Sequence, residues 1–235
     1  MVFVFPSPEK YAHIRLFMGK DKFENEDLIK YHCPQDVWFH VNSLSSAHLY
    51  LRRMDLPEEQ LLNGFNTYEQ KAKFLSEIPD DLLETISQLT KENSIQGKKE
   101  KSVRIIYTMA SNLKKTGDMQ VGQVSYHDNR LVKYHQVKER DTNLVNTYKR
   151  KKVWEELDLK KEKDDFMMAL EKFKTAEKKR KQIEDDEERK KREEQKKVKN
   201  YEGFFQEKKT DLNDDDIWGA SDDESDDDVD LDALM

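Results

Sequence analysis

The chain has 235 residues, 39% of them charged and only 35% hydrophobic, too few apolar side chains for a packed core along the whole length. Its net charge of −7 is uneven: residues 1–137 hold 18 Lys+Arg and 18 Asp+Glu, residues 138–200 hold 22 and 17, and residues 201–235 hold 2 and 14. The acidity therefore belongs to the C-terminal stretch, so neither an acidic nor a basic label describes the whole chain.

In chain order, Val2 to Phe5 is a strand-like run that stops at Pro6. "YAHIRLFMG" alternates as a strand, with Ile14, Leu16 and Met18 on one face and Gly19 at its end. "ENEDLIKYH" has the acidic start of a short helix, with capping and dipole compensation as the expected role of Asn25, Glu26 and Asp27. "DVWFHVNSLSSAHLYLRR" (36–53) predicts two strands around a Ser-rich turn. Val37, Phe39, Val41, Leu49 and Leu51 fall on one face, and Trp38, His40, His48, Tyr50 and Arg52 on the other. Residues 54–78 read as an irregular insertion with a helical turn or two. "IPDDLLETISQLTKENSIQG" is a clear helix, with Leu82, Leu83, Ile86 and Leu89 at helical spacing. "SVRIIYTM" is a strand whose apolar centre suggests burial on both faces. A loop leads to two more strands near 122–127 and 131–137, with "HDNR" as their turn.

From Lys138 there is no Gly or Pro before Gly203, which predicts one long helix. Its apolar residues thin out after Ala176, so any coiled-coil pairing is confined to the first half. The expected fold class is thus α+β: one domain of mixed sheet and helices over 1–137, a long charged helix over 138–203, and a disordered acidic tail over 204–235. One cysteine, Cys33, excludes an intramolecular disulfide framework and suits a reducing compartment. "MVFVFPSPEKYAH" lacks the regions of a signal peptide. The longest apolar candidate for a membrane span, "VRIIYTMA", has only strand length and contains Arg104. The expectation is a soluble intracellular protein, cytoplasmic with access to the nucleus.

Trp38 and Tyr50 offer ring faces for bases, and Arg52 a guanidinium plane. His40 and His48 can donate to phosphate or base edges, and Ser45 and Ser46 supply hydroxyls at a turn. Lys114 and Lys115 before Gly117 have the look of a phosphate-binding loop. Residues 101–152 carry 12 Lys+Arg against 4 acidic residues, a positive stripe. The competing reading is that Trp38 and His40 pack under a helix, with the histidine bonded to backbone. His32, His40 and His48 sit eight apart and fit no zinc spacing, so no metal and no cofactor is expected. The two histidines beside a lysine pair also allow general acid–base cleavage of a phosphodiester, or RNA modification. No glycine-rich phosphate loop or magnesium carboxylate cluster supports an enzyme, and a non-enzyme is expected. Ser221 and Ser225, each followed three residues later by an acid, suit an acid-directed kinase. The tail is expected to compete with phosphate backbones for the basic stripe.

"MGKDKFENEDLIKY", "DVWFHVNSLSSAHLYLR", "ENSIQG" and "SNLKKTGDMQVGQVSYH" follow one another in this order. Together they resemble the NFACT-R family, a domain described as an RNA-binding module and also found in ribosome quality-control factors. The resemblance covers most of residues 10–127 and implies an NFACT-R-type domain over 1–137. It implies an adaptor that binds RNA, or less readily DNA, with a link to translation or ribosome quality control. A third class remains open: a protein–protein adaptor, or weak dimer, in which the charged helix is the interface.

Overall fold

The computed structural model describes residues 2–210. Among them, residues 2–176 form one compact unit and residues 177–210 belong to a second.

The first unit is built on a seven-stranded antiparallel sheet. Its strands are β1 (Val2–Phe5), β2 (Ile14–Gly19), β3 (Val37–Val41), β4 (Leu49–Arg53), β5 (Val103–Met109), β8 (Lys133–Val137) and β9 (Val153–Glu155). They lie in the order β8-β5-β3-β4-β2-β1-β9. Two short strands, β6 (Leu113–Lys114) and β7 (Ser125–Tyr126), form a separate ladder. The expected pairing of the strands on either side of "HDNR" is therefore corrected. β7 pairs with β6, and β8 crosses to the main sheet beside β5.

The expected hairpin of β3 and β4 forms, with Val37 opposite Leu51, Trp38 opposite Tyr50 and Phe39 opposite Leu49. Strand alternation then gives the sheet two different faces. The aliphatic face carries Val37, Phe39, Val41, Leu49 and Leu51 into the larger core. It is covered by α2 (Glu58–Asn63), α3 (Tyr68–Ser76), α4 (Asp80–Glu92) and α5 (Thr142–Lys151). Leu82, Leu83, Ile86 and Leu89 of α4 are buried in that core, as their spacing predicted. The insertion is ordered rather than irregular. Thr67 and Gln70 close a reciprocal capping box at the start of α3, and Phe74 and Leu75 enter the core.

The opposite face is covered at one end by α1 (Lys22–Lys30), the β6–β7 ladder and the start of α6 (Leu159–Thr210). Asp21 caps α1 by accepting from the N–H groups of Phe23 and Glu24, so the cap lies upstream of the acidic cluster singled out in the sequence.

The prediction of one helix from Lys138 is corrected. α5 ends at Lys151, and Val153 to Glu155 leave the helix to pair with β1, adding the outermost strand. The fold thus extends past residue 137 into α6, whose first segment to Ala176 belongs to the first unit. Backbone pairing to an open strand outweighs helix propensity here, since it satisfies a whole row of polar groups at once. The segment Glu177–Thr210 is a single helix with i,i+4 pairs such as Glu188–Arg192 and Glu177–Lys181. The helix runs through residues 204–210, which the sequence assigned to the tail. The rest of the tail, with Ser221 and Ser225, lies outside the described residues.

Candidate nucleic-acid interface

The five residues grouped on one face of the hairpin do share that face, but most of them are not on the surface. Trp38 (1% exposed), His48 (2%), Tyr50 (0%) and Arg52 (3%) are all buried. Trp38 and Tyr50 belong to the second core, with Phe17, Leu28 and Leu113. Tyr50 stacks on Phe17 at 5.4 Å between centroids. Neither ring offers a face to a base, so the stacking role assigned to both is corrected.

Arg52 is likewise taken. Its Nε and one terminal nitrogen donate to the two oxygens of Asp36 at 2.6 and 2.7 Å, and its other terminal nitrogen donates to Glu162 of α6. Arg15, opposite Arg52 on β2, also reaches Glu162, at 3.6 Å. Burial opposes the guanidinium's charge, but Asp36 outweighs it and raises the pKa. The forked pair with Asp36 fixes the guanidinium, the Glu162 bond ties it to α6, and burial of the side chain keeps it from phosphate.

Lys115 holds the loop between β6 and β7 closed. Its ammonium donates to Glu26 Oε1 at 2.8 Å and to the carbonyls of Gln120 and Gln123 at 2.6 and 3.0 Å, which uses all three of its protons. Glu26 also accepts from the Gly122 N–H at 2.6 Å. Burial works against the Glu26 carboxylate, but these two donors hold its pKa below the usual value. Gly122, at φ +84°, is the glycine this loop needs. Gly117 has open space around it and no required geometry. Lys114 is exposed.

Ser46 is a turn-former: its hydroxyl accepts from the Val41 N–H at 3.0 Å and donates to the Ala47 carbonyl at 3.2 Å. Ser45 is exposed, and its carbonyl accepts from Ser94 of the "ENSIQG" segment at 2.6 Å. His48 has its Nδ1 buried without a partner among the described residues. Burial, then the neighbouring His40, pushes its pKa down to about 3. His40 lies at the edge of the cover. Its ring stacks on Trp38 at 5.3 Å, meets His48 edge-on at 5.2 Å, and binds the Val41 carbonyl through Nδ1 at 2.8 Å. Burial lowers its pKa too. The packed-histidine reading of this pair is the one its geometry follows.

Beyond Ile106, itself buried in the second core, the cover ends. The strand register sets His40, Ile106 and Tyr134 in one row across β3, β5 and β8. Arg104 and Gln136 form the next row on the same face. Tyr134 is 54% exposed, and both Arg104 and Gln136 are exposed. The Arg104 guanidinium carbon stands 5.7 Å from the centre of the Tyr134 ring. Tyr126, on the small ladder, is half-buried 6.2 Å from Trp38. Burial, with Tyr134 nearby, pushes its hydroxyl pKa up to about 12. A run of rings from His48 through His40, Trp38 and Tyr126 thus emerges at Tyr134 and Arg104, with Lys114 on the neighbouring ladder. Sequence reading passed over Tyr126, Tyr134 and Gln136 and saw Arg104 only as a charge inside an apolar run. The available signal was parity: Arg104, Ile106 and Thr108 alternate with the core residues of β5, as Tyr134 and Gln136 do with those of β8.

Residues 1–128 match the family model described as the NFACT protein RNA binding domain. The chain belongs to the NFACT-R family. The NFACT-R match ends before β8, so Tyr134 and Gln136 lie just beyond it. Coiled-coil domain-containing protein 25 homolog of Dictyostelium discoideum is 48% identical over 148 residues, 63% of this chain and 64% of that protein. The chain thus matches just under two thirds of that relative's length. Coiled-coil domain-containing protein 25 of Danio rerio is 43% identical over 164 residues, 70% of this chain and 72% of that protein. The Mus musculus protein of the same name is 42% identical over 165 residues, with the same coverage. Among the described residues, no group of His, Cys, Asp and Glu has the arrangement of a metal site, and no helix is long and apolar enough to cross a membrane.

Proposed function

We propose that this NFACT-R protein binds single-stranded RNA across the open half of its sheet, as a non-enzymatic adaptor. The observation that carries the reading is the Arg104–Tyr134 pair, an exposed ring with a guanidinium near it, standing with exposed Gln136 on neighbouring strands β5 and β8. An unpaired base can stack on such a ring, while Arg104 and Lys114 meet phosphates. The family's description as an RNA-binding domain supports RNA over DNA.

The hydrolytic alternative draws no support from the histidine pair. His48 is buried and held neutral far below physiological pH, and His40 Nδ1 is bonded to backbone. Purified protein should leave RNA intact with or without divalent metal. Cleavage that disappears in His40→Ala would sink the binding-only reading. In this proposal the protein acts in the cytoplasm, in translation or ribosome quality control.

The deciding experiment measures affinity of the full chain for a labelled single-stranded RNA, the same sequence as DNA, and an RNA duplex. Tyr134→Ala and Arg104→Glu should each weaken single-stranded RNA binding without loss of fold. Unchanged affinity in both variants, or a preference for duplex, would reject this surface.

A further inference from the structure

A second surface of the first unit has a different chemistry. Between α2 and the segment of α6 that ends at Ala176 runs an open groove of about 690 Å³. A separate, smaller hollow of about 220 Å³ at the C-terminal end of α2 is walled by Leu61, Phe65, Phe166 and Leu170. The floor of the groove is apolar and partly uncovered: Met168, 55% exposed, lines it with Ala169, Phe173 and Ala176. Leu159, Phe166 and Phe173 recur every seven residues, so they share one face of α6. Only Leu159 of the three is buried against the domain.

The rim is acidic. Glu58 and Glu59, in the first turn of α2, and Asp165 line the groove and are exposed. None of the three forms an ion pair with a described basic group, and Lys172 is the one cation on the lining. Both walls are helices, so no strand edge is available for main-chain pairing. Ridges of a third helix fit between two helical walls, and the exposed Met168 adapts to its side chains.

We infer that this groove receives an amphipathic α-helix of a partner protein, with an apolar face on Met168, Ala169 and Phe173 and a Lys/Arg flank against Glu58, Glu59 and Asp165. The uncovered stretch from Phe166 to Ala176 matches a partner helix of about three turns. A second copy of this chain is the weaker occupant. After Ala176 the helix has only Ile183 and Val198 as aliphatic positions before Tyr201, and a self-paired coiled coil needs a sustained seam.

The test uses the full chain and labelled model peptides: a Leu-faced amphipathic helix with Lys flanks, the same face with Glu flanks, and a scrambled control. By fluorescence anisotropy the Lys-flanked peptide should bind about tenfold more tightly than the Glu-flanked one, as a few opposite charges at a rim allow. Met168→Glu should abolish binding, and Glu58→Lys/Glu59→Lys should reverse the preference. All three positions are exposed, so the variants should keep the wild-type circular dichroism. No binding, equal binding of both peptides, or binding indifferent to Met168→Glu overturns the proposal. So does a dimer seen by sedimentation velocity that Met168→Glu dissolves, which would assign the groove to a second copy.

Discussion

One face of one sheet carries two regions built from the same kinds of residue. At the covered end, Trp38, Tyr50 and Arg52 are roofed by α1, the small ladder and α6, and the arginine is neutralised by Asp36 and Glu162. At the open end, Tyr134 and Arg104 form a ring–guanidinium pair with water on one side. Aromatic and basic residues hold the fold together in the first region and are available to a ligand in the second. What separates them is whether a partner carboxylate and a second layer of chain arrive from elsewhere.

The comparison is broken most directly at Arg52. Removing one member of a buried pair strands the other charge, so Arg52→Met should cost about 3–5 kcal/mol of stability. Chemical denaturation should show this, with RNA affinity of the folded fraction unchanged. Replacing Asp36 by leucine as well should recover much of the loss. A strong loss of RNA affinity in still-folded Arg52→Met would erase the distinction between the two ends.

Acid provides the next largest effect. His48 has its folded pKa pushed to about 3, well below the ordinary value of 6.5. Below pH 6.5 the unfolded chain takes up a proton that the folded one refuses. The stabilisation is therefore full above pH 6.5 and is lost progressively as pH falls toward 3. At about 1.4 kcal/mol per unit, His48 alone removes about 3 kcal/mol between pH 6.5 and 4. Burial of His40 and His32 acts in the same direction. Melting temperature against pH should fall over this window, and His48→Gln should flatten the curve.

At the open end the signs change. Tyr134→Ala should cost about 1–3 kcal/mol of single-stranded RNA affinity, the worth of one stacked base. It should move stability by less than about 0.5 kcal/mol, as exposed substitutions do. The smallest effect sharpens the contrast within a single dipeptide. Lys114→Ala should lower the slope of log affinity against log salt by about 0.7, one phosphate contact. Lys115→Ala should instead loosen the loop over α1, seen as faster amide exchange at Gly122.

The hairpin and its aliphatic face were readable because strand alternation has period two and the apolar positions obey it. The same period placed Trp38, His40, His48, Tyr50 and Arg52 together correctly. It carried no information about what lies above them. That depends on Glu162, more than a hundred residues away, and on Glu26 reaching Lys115 across a loop. The open platform was obscured for a related reason. Tyr134 joins the row of His40 only through the pairing of β8 with β5 and of β5 with β3. The strand hidden at Val153 had no signal of its own, since three residues between two helices are decided by the free edge they meet.

That last pairing has a consequence during synthesis. β1 finds β2 within the first twenty residues, but its other neighbour, β9, is about 150 positions downstream. At ribosomal speeds of about 5–20 residues per second, the outer edge of Val2–Phe5 waits roughly 8–30 s for its partner. For that interval the nascent chain displays an unpaired apolar strand, the kind of edge that invites pairing with another chain. Val153–Glu155 therefore acts as a late clasp, and shortening the chain just before it would make that interval permanent.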